Sequence, residues 1–149
     1  MVHAIQARPT LEGAVRLLQS VSLPFEDLTA AHLDNFFFAG AASAPHGLVG
    51  LEVYGRNALL RSLAVSPSFR GTGLGTALTD HAERYAHSQG VTSIFLLTTT
   101  AEVFFARRGY VSADRAIAPN DIRATRELAQ LCPASSAFLV KNLASGRVE

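Results

Sequence analysis

Short apolar runs alternate along this chain with stretches in which apolar residues recur every three or four positions, the pattern of an α/β domain. Val2 to Arg8 alternates as an edge strand, and Pro9-Thr10 opens a helix whose apolar positions are Leu11, Ala14, Val15 and Leu18. Leu23-Pro24 breaks that helix. A short helical segment follows around Thr29 to Asp34, and Asn35 to Ala42 can pair as a strand, although its brief period is ambiguous. Ala44-Pro45-His46-Gly47 reads as a turn. Leu48 to Tyr54 and Ala58 to Val65, joined by Gly55-Arg56-Asn57, are predicted to form an antiparallel hairpin.

From Thr72 the positions Leu74, Ala77, Leu78, His81, Ala82 and Tyr85 make one helical stripe, and Gly90 is placed to end it. Val91 to Leu97 suits a buried strand, and Thr98-Thr99-Thr100 can cap a helix from Ala101 to Arg108 closed by Gly109. Tyr110 to Asp114 starts another strand. Pro119 suits the first turn of a helix running to about Leu131, Ser135 to Leu143 is the final strand, and Ala144 to Glu149 reads as a loose tail. One domain over 1–143 is expected.

Composition narrows the chemistry. The chain has 149 residues, 48% of them hydrophobic, and a formal net charge of +1, so no general attraction draws it to nucleic acid or an anionic membrane. The single cysteine, Cys132, forms no internal disulfide or thiolate cluster, and the five histidines never fall four apart, so no metal is expected. No apolar run approaches a membrane span and no leader pattern stands at the N-terminus, so the expectation is a cytoplasmic protein.

The chemistry-bearing stretch is Leu63-Ala64-Val65, Pro67, then Arg70-Gly71-Thr72-Gly73-Leu74-Gly75-Thr76: a strand, a turn, a glycine-dense loop and a helix start. The first N–H groups of a helix have no internal acceptor and sit at the positive end of its dipole, which suits a phosphate. A P-loop would need Gly-Lys-Ser/Thr, and no lysine occurs here. A dinucleotide fingerprint would want glycine or alanine where Thr76 stands and an acid about twenty residues on, where the chain reads Val91-Thr92-Ser93-Ile94-Phe95. A glycine-rich linker is the bland alternative.

On the same neighbouring strands, Glu52 is the lone acid among Leu48 to Tyr54, and Arg61 lies mid-strand between Leu60 and Leu63. Desolvation would suit Glu52 to act as a general base. A charge at Arg61 needs a partner, which Glu52 across the hairpin could supply.

Arg70-x-x-Gly73-x-Gly75 after that strand resembles the acetyl-coenzyme A loop of the GCN5-related N-acetyltransferases (GNAT). The resemblance implies a mixed, mostly antiparallel sheet of about seven strands with helices on both faces, splayed between the fourth and fifth strands. Leu51-Glu52-x-Tyr54-Gly55, Leu59-Leu60-Arg61-Ser62, Leu96-Leu97-Thr98-Thr99-Thr100-Ala101, Phe104-Phe105-Ala106-Arg107-Arg108-Gly109-Tyr110 and Leu131-Cys132-Pro133-x-Ser135 are similar to its arsenic-resistance subgroup.

By that resemblance, backbone N–H groups of Gly71, Gly73, Leu74, Gly75 and Thr76, with Thr72 in the same loop and Arg70 beside them, hold the pyrophosphate of acetyl-CoA. Leu63, Ala64 and Val65 pair with its pantetheine arm. Glu52 and Ser62 are the catalytic candidates; Arg61, Ser62 and Thr98 the acceptor-binding ones, with Arg61 reading an acidic group beside the amine. Many relatives carry a leaving-group tyrosine where this chain has Phe105, so water, Ser62 or one of Thr98 to Thr100 is left to donate that proton. The expected function is acetyl transfer to a small amino-acid-like amine, an organoarsenical amino acid among the candidates, with no metal and with room for a homodimer. The alternative is a silent acyl-CoA-binding module.

Overall fold

The computed structural model describes residues 3–126, 128, 129 and 135–143. Its strands are β1 (Gln6–Ala7), β2 (Phe36–Ala41), β3 (Ala44–Tyr54), β4 (Asn57–Val65), β5 (Ser93–Thr98), β6 (Val111–Ser112) and β7 (Ala137–Asn142). They form a seven-stranded sheet in the order β1-β2-β3-β4-β5-β7-β6. The helices are α1 (Leu11–Ser20), α2 (Leu74–Ser88), α3 (Glu102–Arg107) and α4 (Asn120–Arg123), with 3-10 turns at Ala30–Asn35, Pro67–Phe69 and Arg115–Ile117. The chain gathers into two compact units. The first takes the chain up to Glu52 together with Leu60–Tyr85, and the second takes Val53–Leu59 and the chain from Ala86.

In the first unit, Thr10 starts α1 by accepting the Gly13 N–H on its hydroxyl at 3.0 Å. Ala14, Leu17 and Leu18 of α1 then join Leu28, Leu33, Phe36, Phe38, Leu48 and Ala64 in one apolar cluster. β1 pairs antiparallel with β2, Gln6 opposite Phe38, and β2 with β3, Phe36 opposite Gly50. The predicted turn at Ala44–Gly47 is instead the start of β3, and the chain reverses at Ala42-Ser43. Pro45 deceives because it usually ends strands. Here it lies opposite Gly40, where the register shifts, and a bulge tolerates a residue with no N–H to donate.

In the second unit, Asn57, Ala58 and Leu59 at the start of β4 pair in parallel with Ser93, Ile94 and Phe95. β7 returns antiparallel to β5 and takes β6 on its other side. Leu59, Phe95, Ala118, Ile122 and Phe138 form the core there, with the Phe95 and Phe138 rings stacked at 5.6 Å. The edge strands come out shorter than expected, two residues each. Of the last predicted helix, α4 is the first turn, and positions 126, 128 and 129 are helical again, with the Ala129 N–H donating to the Thr125 carbonyl at 2.9 Å. Its expected end at Leu131, the Cys132-Pro133 string and the tail from Ala144 lie outside the described residues. Among the described residues no helix is long and apolar enough to cross a membrane.

His81 of α2 packs edge-on against Phe37 at 4.7 Å. Burial lowers its pKa, and the charge of Arg84 lowers it further. The unfolded chain therefore takes up a proton near the ordinary histidine value of about 6.5, before the folded chain does. Stability from this site is fully present above that pH and declines as the pH falls through it. Urea midpoints should drop between neutral and mildly acid pH, and His81→Gln should flatten that drop; an unchanged slope would refute the assignment.

Candidate active site

β4 does not alternate as a half-buried strand should. Ala58, Leu59, Leu60 and Arg61 are buried in succession, and Ser62 then takes a φ of 61°. A side chain in the left-handed region costs about 1–3 kcal/mol, and in mid-strand it breaks the pleat. Its hydroxyl is used at once, accepting from Arg61 Nε at 3.0 Å.

Arg61 itself is only 2% exposed, and its fork is met from two directions. Nη1 donates to Asp27 Oδ2 at 2.6 Å and to Glu52 Oε2 at 2.7 Å, while Nη2 donates to Asp27 Oδ1 at 2.7 Å. The Phe36 ring lies below the guanidinium, 5.9 Å from Cζ. Gly50 makes room for that ring, since a Cβ there would stand 2.3 Å from it. Burial pushes the Asp27 carboxyl up, but the Arg61 hydrogen bonds and charge, with the charge of His32, bring it below its ordinary value. Two carboxylates against one guanidinium leave a surplus negative charge.

His32 adds a fourth group. Its Nδ1 accepts the Thr29 N–H at 3.1 Å, which puts the neutral ring's proton on Nε2, 3.9 Å from Glu52 Oε2. One ligand atom each from Asp27, His32 and Glu52 lies within 4.8 Å of the others, a set of the kind a divalent ion takes. Arg61 already donates to both carboxylates, so the protein supplies its own cation and the set as built does not fit a metal.

Further along the same unit, β4 runs through Leu63, Ala64 and Val65 into the Pro67–Phe69 turn and the glycine loop. Arg70 is exposed and donates from Nε back to the Val65 carbonyl at 3.3 Å. Gly71 and Gly73 have φ of 77° and 83°, values that a side chain resists, and a Cβ at either would meet nothing within 4 Å. The loop is thus open where a ligand's phosphate could lie against main chain. α2 begins at Leu74, and its first i to i−4 bond is Ala77 N–H to Gly73 C=O, so the amides of Leu74, Gly75 and Thr76 precede the ladder. Thr72 Oγ donates to the Phe69 carbonyl at 2.7 Å, and His3 Nε2 donates to the Thr72 carbonyl at 3.0 Å.

In the second unit, Thr98 ends β5, and its hydroxyl accepts the Ala101 N–H at 2.9 Å. Phe105, 4% exposed, meets Tyr110 and Phe104 edge-on at 5.4 and 5.1 Å, as a core residue does. The structure therefore brings Glu52, Arg61 and Ser62 into one network and sets residues 70–76 in the same unit. It also adds Asp27 and His32, which sequence reasoning missed. The available signal for Asp27 was an acid set among Leu23, Phe25 and Leu28 while an arginine elsewhere needed a counterion.

The acetyltransferase (GNAT) domain family matches residues 32–112, more than half of the chain, and the chain belongs to that family. It is similar to an uncharacterized N-acetyltransferase, CT2212, of Chlorobaculum tepidum, 34% identical over 92 residues, 61% of this chain and 59% of that protein. It is also similar to an amino-acid acetyltransferase of Ralstonia nicotianae, 34% identical over 123 residues. That match takes in 83% of this chain but only 26% of the Ralstonia protein. Among solved structures it resembles N-acetylglutamate synthase from Neisseria gonorrhoeae complexed with coenzyme A and L-arginine, with a TM-score of 0.78 at 22% identity over 95% of this chain and 33% of that one. The same synthase complexed with coenzyme A and N-acetyl-glutamate gives 0.78 at 20% identity, over 95% and 35% of the two chains.

Removing one side of a buried ion pair leaves the other charge stranded, at a cost of about 3–5 kcal/mol. Arg61→Met should lose stability on that scale in urea unfolding, and adding Asp27→Asn should restore part of it. Additive losses would mean that the two residues do not share one interaction.

Proposed function

We propose that the chain is an acetyl-CoA-dependent N-acetyltransferase acting on the amine of a small amino-acid-like acceptor. The observation that carries this reading is β4, which holds the Arg61–Glu52 network at its middle and delivers the glycine loop and α2 at its end. The likeness to an amino-acid acetyltransferase supports the acceptor class.

The open glycines fit a pyrophosphate. The amides of Gly71, Gly73, Leu74, Gly75 and Thr76 would hold it, with Thr72 in the loop and Arg70 as a neighbouring charge, and the main chain of Leu63 to Val65 would align the pantetheine arm. When bound, acetyl-CoA supplies the thioester carbonyl. Glu52, directly or through a water, takes the proton that the acceptor's ammonium must lose before its nitrogen can attack. An N–H near Val65 faces the developing oxyanion. Ser62 and Thr98 each accept a hydrogen bond and, being hydroxyls, each still has a proton to donate to acceptor or thiolate. Arg61, expected on an acidic group of the acceptor, has its fork on Asp27 and Glu52, which favours its holding Glu52.

A single domain over 1–143, a cytoplasmic setting, a homodimer and an organoarsenical amino acid as acceptor complete the proposal. Phe105 favours a second reading, a silent acyl-CoA-binding module, because it supplies no proton donor.

Thiol release from acetyl-CoA across glutamate, neutral amino acids, an organoarsenical amino acid and simple amines decides between them. Turnover with amino acids supports the enzyme, and binding without turnover supports the module. Glu52→Gln should slow turnover by about 100- to 10,000-fold; a parental pH–rate profile would place the base elsewhere. Gly73→Val should weaken acetyl-CoA binding by about tenfold or more by calorimetry, about 1.4 kcal/mol. Unchanged affinity in a folded variant would reject the loop. Arg61→Lys separates the two roles of that residue. A raised KM for acidic acceptors alone marks an anchor, whereas lower stability with all acceptors affected alike marks a holder of Glu52.

A further inference from the structure

We propose that Asp27 is a positioning residue for Glu52, acting through the Arg61 guanidinium. The inference rests on the reading of Glu52 as the proton acceptor and extends it to a residue 34 positions from Arg61 that carries no motif.

Two separate effects converge on Glu52. The first is geometric. An arginine side chain is long and flexible, and a single hydrogen bond would leave its tip free to swing. Asp27 takes the side-by-side edge of the fork, with Nη1 at 2.6 Å and Nη2 at 2.7 Å from its two oxygens, while Ser62 receives Nε at 3.0 Å. These contacts fix the guanidinium plane. Nη1, which Glu52 Oε2 meets at 2.7 Å, therefore stands where Asp27 sets it.

The second effect is electrostatic. Asp27 neutralises Arg61 within hydrogen-bonding distance, so Glu52 faces a cation already compensated. Remove the Asp27 charge, and the whole positive charge of Arg61 falls on Glu52, which then holds its proton less well and becomes a poorer base. The charged or titratable groups around Glu52 include Arg61, with Asp27 behind it, and His32, whose Nε2 lies 3.9 Å away. Asp27 and His32 both come from the short stretch between α1 and β2. It is anchored by Leu28 in the core and by the Leu28 N–H to Phe25 C=O bond at 3.0 Å.

The test reads Glu52 directly. In protein labelled with 13C at its carboxyl groups, with no acceptor or acetyl-CoA present, the Glu52 titration midpoint should fall in Asp27→Asn by about one unit, a tenfold loss of proton affinity. A folded Asp27→Asn with lower stability but an unmoved Glu52 midpoint overturns the proposal, because a merely structural aspartate would behave that way. If Asp27→Asn does not fold, the parent decides. Its Asp27 and Glu52 carbons should each inflect at the other's midpoint, and two independent single-step curves overturn the proposal. In thiol release, the acid limb of kcat/KM should move to lower pH in step with the NMR midpoint. A parent without turnover for any amine would sink the proposed function, while the titration would still decide the coupling.

Discussion

Arg61 puts a full charge on β4 just after the buried Leu59 and Leu60, and taking that charge out of water costs several kcal/mol unless partners replace the water. The local arrangement follows from that need. The segment after α1 is drawn in so that Asp27 can meet both terminal nitrogens, and Ser62 accepts a strained φ while receiving the third donor. Gly50 gives up its side chain so that Phe36 can lie beneath the guanidinium. A cluster of this kind is often no more stable than well-packed apolar residues of the same volume. Its return here is placement: a carboxylate, Glu52, held on rigid strands rather than on a loop.

The same strand ties this network to the glycine loop. The bend at Ser62 re-aims the last three residues of β4, and the chain then turns at Pro67 while Arg70 reaches back to the Val65 carbonyl. Gly71 and Gly73 supply the left-handed steps that start α2 without side chains over its first amides. A ligand gripped by those amides at the end of β4 and an acceptor deprotonated at Glu52 on β3 would thus be linked through Arg61, a few residues of β4 before the loop. Catalysis by proximity depends on such short mechanical paths, because small displacements of reacting groups are expensive.

Much of this was legible from local pattern. Threonine before an apolar period marks the start of α1, and glycine after one marks the ends of α2 and α3, because these signals depend only on neighbouring residues. Glu52 as a partner of Arg61 was likewise within reach, since the two strands of a hairpin lie side by side and a mid-strand arginine needs a counterion. Pro45 misled because a proline gives the same signal in a turn and at a bulge, and only the partner strand distinguishes them. Asp27 lay beyond local reasoning. It belongs to a segment with neither helix nor strand period, and its partner is set by the tertiary fold.

Phe105 is where packing and chemistry pull in different directions. The ring is enclosed by Phe104 and Tyr110 at the end of α3, and a hydroxyl added there would need a partner of its own or cost about 1–3 kcal/mol. The core is therefore well served by phenylalanine, which has no proton to offer a departing sulfur. A thiolate whose conjugate acid has a pKa of about 8–9 is a fair leaving group at neutral pH, so such a donor matters less than the base that must first free the amine nitrogen. An ammonium near pH 7 is almost wholly protonated, and no attack is possible until it loses that proton. The burden of the proposed reaction thus falls on Glu52, which is the group that the Asp27–Arg61 pair holds in place.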